Sequence, residues 1–339
     1  MKKSVFLGAL TVAGLAAGVA SAATLDDVKA RGSLNCGVTT GLVGFAAPDA
    51  NGVWEGFDVG VCRAVAAAIF GDPTAVEFVP TTGKTRFTAL ASGEIDLLAR
   101  NTTWTMSRDV DLAFEFVGVN YYDGQGFMVP KDLGVSSAKD LDGATVCIQT
   151  GTTTELNLAD FFRTNGISYE PVPIETNAEA QQQYLAGACD VYTTDASGLA
   201  ATRATFEAPG DHVLLPEIIS KEPLGPLVRH GDNEWGDIAR WTLNALITAE
   251  ELGITSANIA ELSAAATNNP EVNRILGTEG NLGEQLGLSA DWAKNAIAAG
   301  GNYGELFEKN IGESTPIGLA RGLNAMWTEG GLIYSPPFR

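Results

Sequence analysis

Ile95-Asp96-Leu97-Leu98-Ala99 runs directly into Arg100–Arg108, read as RNTTWTMSR. The apolar run has the length and unbroken hydrophobicity of a strand buried on both faces, as in a parallel sheet. The segment after it is a hydroxyl- and amide-rich loop closed by an arginine. About forty residues on, Ala144–Ile148 reads as a second such strand and leads into Gln149–Glu155, QTGTTTE. Thr-Thr-Thr-Glu has the composition of a helix start, with a hydroxyl N-cap and an acid in the first turn. A guanidinium, several hydroxyls and the free N–H groups of a helix N-terminus are the groups that bind a small carboxylate. Neither segment holds a nucleophile–base pair or a metal-ligand cluster. Together they fit a receptor for a small zwitterion.

Around these two segments the chain alternates strands and helices. Leu34–Val38 reads as a strand, Phe57–Phe70 as a helix ended by Gly71-Asp72-Pro73, and Ala75–Pro80 as a strand. Lys84–Ser92 reads as a helix stopped by Gly93, and Ile95–Ala99 follows as a strand. Such alternation implies a parallel sheet with helices on its faces. A second series follows: strand Ala144–Ile148, helix Thr153–Thr164, strand Tyr169–Pro173, helix Ala178–Ala186 and strand Cys189–Thr193. Leu-Ala-Ser-Gly-Glu-Ile-Asp-Leu at 90–97 recurs as Leu-Ala-Gly-Ala-Cys-Asp-Val-Tyr at 185–192. Two α/β lobes on one plan place a cleft between them, lined by the loops after the strand ends. The chain is expected to cross between lobes twice, near Val119–Gln125 and near Pro216–Leu224, as two parallel crossings forming a hinge. The division is then 1–22 signal peptide, 23–121 with 223–339 lobe one, and 122–222 lobe two. From Trp235 onward the pattern is mostly helical: Trp235–Leu252, Ala257–Ala266, Asn268–Leu276, Ala290–Ala299 and Asn302–Gly312. This extension reads as structural packing on lobe one.

Met1–Ala22 has the form of a secretory signal. Lys2 and Lys3 precede an apolar, small-residue run from Val5 to Ala20, and Ala20-Ser21-Ala22 is an A-x-A cleavage site. The run is short for a membrane anchor, the competing reading. The chain carries 21 Lys+Arg and 41 Asp+Glu; cleavage removes two lysines and no acids, leaving 19 − 41 = −22. Such a charge argues against nucleic acid as a partner. All four cysteines lie beyond the cleavage site, where an oxidising compartment favours two disulfides. Three connectivities are open. Pairing Cys36 with Cys62 and Cys147 with Cys189 keeps each bridge inside one structural unit. No CxxC spacing exists, and His212 and His230 are the only histidines, so neither a metal nor a cofactor is expected.

The ordered set GFDVGVCRAVAAAIFGDP (56–73), RFTALASGEIDLLARNTTWTMSRD (86–109), YYDGQGFMV (121–129), QTGTTTELNLADFF (149–162), TTDASGL (193–199) and ISKEPLGPLVR (219–229) resembles the solute-binding proteins of family 3. These are the polar amino-acid-binding proteins of bacterial ABC importers, and the nearest branch looks like the general L-amino-acid and the glutamate/glutamine/aspartate/asparagine binders. The resemblance spans essentially the whole mature chain. It implies a type II periplasmic-binding-protein fold: α/β, two-lobed, with parallel-core sheets flanked by helices and here a helical C-terminal extension. It also implies a monomeric periplasmic receptor for polar L-amino acids that delivers them to membrane-embedded ABC permease subunits.

By the same resemblance, Arg108 grips the ligand α-carboxylate, supported by Asn101 and Thr103 in its loop and by Gly151, Thr152 and Thr153 at the helix start. Asp195 takes the α-ammonium, and Arg86 reaches the ligand side chain. One departure concerns the aromatic-Pro-Phe segment of many relatives, which supplies a ring above the ligand. Here it is Gly41-Leu42-Val43-Gly44-Phe45. Each assignment has a plainer competitor. Arg108 could pair with Asp109 or Asp111 on the surface, Asp195, Thr152 and Thr153 could merely cap helices, and Arg86 could be a solvated charge. A periplasmic enzyme on this scaffold, a dehydratase acting on an amino-acid precursor, is the alternative function. It needs a positioned acid or base, and no GxSxG, HExxH or P-loop is present. The residues do not rank Asp, Glu, Asn and Gln as ligands.

Overall fold

A computed structural model describes residues 23–339, so the signal-peptide reading of 1–22 lies outside the described residues. The first sheet has the order Val76–Thr81, Leu34–Thr39, Leu97–Leu98, Leu227–Arg229, Phe114–Phe116. Its first three strands are parallel, as the alternation predicts. Leu227–Arg229 runs antiparallel to both of its neighbours, because it enters the sheet from the returning crossing. The second sheet repeats this design. Tyr169–Ile174, Ala144–Gln149 and Val191–Asp195 are parallel, and Gln125–Pro130 and His212–Leu214 extend the sheet antiparallel.

The recurring helix–glycine–strand passage has a shared physical cause. Gly93 and Gly187 take φ of 79° and 72°, the left-handed conformation that ends each helix turn at no steric cost. The aspartate that follows then accepts the N–H of the second residue of a neighbouring parallel strand. Asp96 takes Asn35 N at 2.8 Å and Asp190 takes Thr145 N at 2.8 Å. The disulfides join Cys36 to Cys62 and Cys147 to Cys189, each within one lobe. The first ties a strand to the helix Phe57–Phe70; the second ties Ala144–Gln149 to the residues entering Val191–Asp195.

Alternation along the second sheet divides its core. Phe127, Val129, Val146, Ile148 and Val191 face one side with Leu158 and Phe162. Met128, Cys147 and Tyr192 face the other with Ala180, Tyr184 and Leu199. Lobe one is built differently. Its strand and helix residues Leu34, Cys36, Phe57 and Val65 share one large cluster with Trp235, Ile238, Trp292, Ile297, Phe307 and Phe338 of the extension. The extension therefore completes the core of lobe one. Its helices Asn233–Glu251, Trp292–Gly300 and Tyr303–Asn310 follow the predicted pattern within a few residues. The pattern did not reveal Thr24–Arg31 or Leu282–Gln285, two short helices with little apolar periodicity.

The crossings pair as a two-stranded ribbon, Tyr121–Asp123 with Glu222–Leu224. They are antiparallel, not parallel, since one segment leaves lobe one and the other returns to it. Gly225 is required here: a Cβ on it would lie 2.0 Å from the carbonyl oxygen of Gly118. The extension braces the ribbon. Asn324 accepts from Tyr122 N at 2.6 Å and donates to Tyr122 O at 3.1 Å, and Tyr303 donates to Asn120 O at 2.9 Å.

Candidate functional site

The lobes meet over a cavity at the C-terminal ends of the parallel strands, where an α/β sheet presents its loops. The surfaces touch directly. Lys84 and Glu175 form an ion pair at 2.9 Å, and Asn177 donates to Gly41 O at 3.3 Å. Arg86, Arg100, Asn101 and Thr103 line the lobe-one wall; Thr152, Thr153, Tyr192 and Asp195 line the opposite wall.

Arg86 opens the helix Arg86–Ser92 and is only 2% exposed, so it is not a solvated charge. Its Nη1 donates to Thr102 Oγ1 at 3.2 Å, and its Nη2 reaches the Gly151 carbonyl across the cleft at 3.4 Å. Its Nε is buried without a partner. Burial, then the neighbouring Arg100 and Arg108, push its pKa well below the usual arginine value, while Asp195 opposes them. Arg100, directly after the strand, donates to Thr81 O at 3.0 Å. Burial and Arg108 lower its pKa to about 10. Two guanidinium groups thus line one wall, with that of Arg108 close by. An enclosed site lined by buried cations favours an anion.

Arg108 is buried, which removes the surface-pair reading. Its Nη1 donates to Thr103 O at 2.8 Å, and its guanidinium lies 5.2 Å from the centre of the Phe87 ring. It stands behind Thr103 and does not line the cavity. Asp109 instead accepts from Trp104 Nε1 at 2.7 Å and faces His230. Asn101 holds φ of 40°, a left-handed conformation that asparagine tolerates better than most residues. Its N–H donates to Asp58 at 3.3 Å, and Asn120 holds the other carboxylate oxygen at 3.3 Å. Burial raises the Asp58 pKa to about 6. Asp58 comes from Gly56-Phe57-Asp58, whose role as a loop anchor the sequence reading did not assign.

On the lobe-two wall, Gly151 takes φ of 72° and turns the chain from the strand into the helix Thr153–Asn165. Its N–H donates to Glu155 at 3.1 Å; it supplies a carbonyl to Arg86 and no surface to the cavity. Thr152 is the N-cap, accepting from Glu155 N at 3.3 Å while donating to Gln149 O at 2.6 Å. Thr153 donates to Glu222 at 2.9 Å and lies 3.2 Å from Thr103 Oγ1. Asp195 sits at the N-cap position of Ala196–Ala204 yet makes no side-chain cap bond, so capping does not account for it. Burial, then Asp123 and Glu222, push its pKa well above the usual carboxylate range; Arg86 and Arg108 pull it down. A cationic group in the cavity would relieve that strain.

Of the residues singled out from sequence, Arg86, Asn101, Thr103, Thr152, Thr153 and Asp195 share the cavity, while Arg108 and Gly151 lie just outside it. Arg100, Tyr192 and Asn177 were not singled out, although Arg100 stands at a parallel strand end, a position that signals a site. In the stretch 41–45, Leu42 faces the cavity and Phe45 is buried against Phe57 and Tyr121, so no ring from this stretch covers the ligand space.

Comparison with known proteins agrees with this geometry. The glutamate/glutamine/aspartate/asparagine-binding protein of Rhodobacter capsulatus is 68% identical over 339 residues, covering 100% of each chain. The general L-amino acid-binding periplasmic protein of Rhizobium johnstonii is 58% identical over 343 residues, again covering 100% of each. An ABC transporter periplasmic binding protein from Brucella ovis, solved with glutathione bound, is 56% identical and matches with a TM-score of 0.91, covering 94% of this chain and 100% of that one. The fold is therefore the two-lobed type II fold of periplasmic binding proteins. Residues 34–258 match a described family directly. By that match, and by relatives alike from end to end, the chain belongs to the bacterial extracellular solute-binding proteins, family 3.

Proposed function

We propose that this protein is a periplasmic receptor that captures polar L-amino acids between its lobes and delivers them to the permease of an ABC importer. Glutamate, glutamine, aspartate and asparagine are the first candidates, and a broader set is open to the same site. The observation that carries the reading is the opposition of charge across one enclosed cavity: arginines on the lobe-one wall and Asp195 on the lobe-two wall. A zwitterion satisfies both walls at once. Such a ligand gains more from the closed arrangement than from the open one, and closure is driven by that difference.

In this reading the α-carboxylate goes to Arg108, Asn101 and Thr103, with Gly151, Thr152, Thr153 and the first-turn N–H groups of their helix. The α-ammonium goes to Asp195. Arg86, joined by Arg100, reads the ligand side chain. The lobes are 23–121 with 223–339 and 122–222, bending at the ribbon, and residues 1–22 direct export. Two disulfides suit the periplasm. The receptor works as a monomer, which size-exclusion chromatography with light scattering tests. The rival enzyme reading draws no support from the relatives, which are named as binding proteins.

Glutathione, seen in the Brucella ovis relative, carries an α-ammonium and two carboxylates and is a second candidate ligand. The deciding measurement is a thermal-shift panel of the twenty L-amino acids and glutathione on protein unfolded, stripped and refolded. Large shifts for polar amino acids, with the ligand recovered unchanged, are expected. Shifts for glutathione alone would replace the ligand class, and turnover would replace the function.

A further inference from the structure

Backbone meets backbone between the lobes at Gly83 and Gly151. Gly83 lies in the lobe-one turn between the strand Val76–Thr81 and the helix Arg86–Ser92; Gly151 lies in the lobe-two turn before the helix Thr153–Asn165. A Cβ on Gly83 would lie 2.6 Å from Thr150 O, 3.2 Å from Thr152 Cγ2 and 3.5 Å from Gly151 O. A Cβ on Gly151 would lie 3.1 Å from both the carbonyl carbon and the oxygen of Gly83. The first separation is closer than carbon and oxygen can pack, and the obstacle is a carbonyl, which no rotamer change moves out of the way.

The two glycines have different causes. Gly151 takes φ of 72°, so its turn alone calls for glycine. Gly83 is not among the left-handed residues, so its own backbone tolerates a side chain. The three atoms nearest to a Cβ on it all belong to lobe two. Glycine at 83 therefore answers to the closed arrangement of the lobes rather than to the fold of lobe one.

This contact sits beside the ligand space. Arg86, three residues after Gly83, and Thr152, next to Gly151, line opposite walls of the cavity. The nearby ion pair of Lys84 with Glu175 also crosses the cleft, but both side chains are exposed, so solvent weakens it. The ion pair yields to a change in spacing and the glycine contact does not. Where the two turns meet thus sets how near the Arg86 wall comes to the Asp195 wall.

We propose that Gly83 is a specificity-determining residue: it is the stop that limits lobe closure, and the width it permits selects ligands by length. The role rests on the amino-acid-receptor reading above, in which Asp195 holds the ammonium and Arg86 reads the side chain. Any side chain at 83 stops the lobes earlier and holds Arg86 farther from Asp195. Short ligands then lose contact with one wall, while longer ones span the wider gap.

Calorimetry on ligand-stripped wild type, Gly83→Ala and Lys84→Ala tests it, using L-glutamate and L-2-aminoadipate, the same zwitterion with one more methylene. Gly83→Ala should weaken L-glutamate about tenfold or more, the effect of overpacking against fixed backbone. It should weaken L-2-aminoadipate less, or strengthen it, so that the ratio of the two affinities moves toward the longer ligand. The ligand-free Tm should match that of wild type, because open lobes leave residue 83 clear of Thr150. Lys84→Ala should leave the ratio unchanged. Equal losses for both ligands would overturn the proposal, as would the same ratio shift in Lys84→Ala. A lowered ligand-free Tm, or a Gly83→Ala protein that does not fold, would also overturn it, by assigning the glycine to the fold of lobe one. A wild type that binds no amino acid would overturn the functional reading and this role with it. Wild-type binding that Gly83→Ala leaves unchanged would overturn the role of Gly83 alone.

Discussion

Asp96 and Asp190 hold the same place in the two lobes, and their surroundings push them in opposite directions. Asp96 is buried, and that burial raises its pKa despite an ion pair with Arg31. Asp190 accepts from the Thr145 hydroxyl at 2.6 Å, and that bond lowers its pKa. The difference follows the thickness of each lobe. The extension covers lobe one and joins its core, so lobe one buries Asp58, Arg86, Arg100 and Arg108 as well. Lobe two has two thin half-cores, one on each face of its sheet. The comparison teaches that one plan serves two jobs: a thick lobe that holds cations away from water, and a thin lobe that brings acceptors and helix N–H groups to them.

The strongest way to break this division of labour is Arg108→Ala. If Arg108 takes the carboxylate, its removal leaves a buried charge unpaired, at a cost of roughly 3–5 kcal/mol, or a few hundred- to several thousand-fold in Kd. Calorimetry that finds less than a tenfold loss would move the carboxylate to Arg86 and Arg100, the two arginines that line the cavity.

The matching change in lobe two is Asp195→Ala. Without the hold on the ammonium, affinity should fall by roughly a hundredfold. Ligand should compact the wild type by small-angle X-ray scattering, and the variant should lose most of that compaction, with circular dichroism constant. Full compaction in the variant would show that lobe one closes the site alone.

Asp58→Asn probes how far lobe one tolerates buried charge. The folded-state pKa, about 6, lies above the ordinary 3.8. The stability this contributes is therefore fully present below 3.8 and is lost as pH rises through about 6. Between pH 7 and pH 4, ligand-free wild type should gain about 2 kcal/mol relative to Asp58→Asn, a little under two pKa units of linkage. Denaturation curves that stay parallel across this range would mean Asp58 is solvated in the free protein.

The smallest effect is expected from Arg86→Ala, and it is selective. Affinity for glutamate and aspartate should fall about tenfold more than affinity for neutral amino acids, because only the former offer a side-chain carboxylate. A uniform loss across a calorimetric panel would assign Arg86 to the main-chain end of the ligand, or to the contact with Gly151 O that joins the lobes.

Much of the fold is legible because its signals are local. Gly71 and Gly93 end their helices in the left-handed conformation, and the apolar stripe of Phe57–Phe70 marks the face it buries. Thr152 caps its helix as the Thr-Thr-Thr-Glu pattern implies. Thr24–Arg31 escaped because it is polar and is held by a distant residue, Asp232, which accepts Thr24 N at 2.7 Å. The antiparallel sense of the crossings escaped for a related reason, since strand direction is decided by where the chain returns from.

By itself, the sequence determined the alternation that makes two α/β lobes, the loops at their strand ends, and the residue types that bind a small charged molecule. These depend on composition and on periods of two to four residues, which are fixed before the chain folds. Only the tertiary structure decided which groups face one another across the cleft. It set Arg100 in the cavity wall and Arg108 behind Thr103, left Asp195 without a cap bond, and ran Glu222 beneath hydroxyls from both lobes. Thr103 and Glu222 are 119 residues apart in the chain. No local pattern links them, and their meeting depends on how two lobes and a two-stranded ribbon pack together.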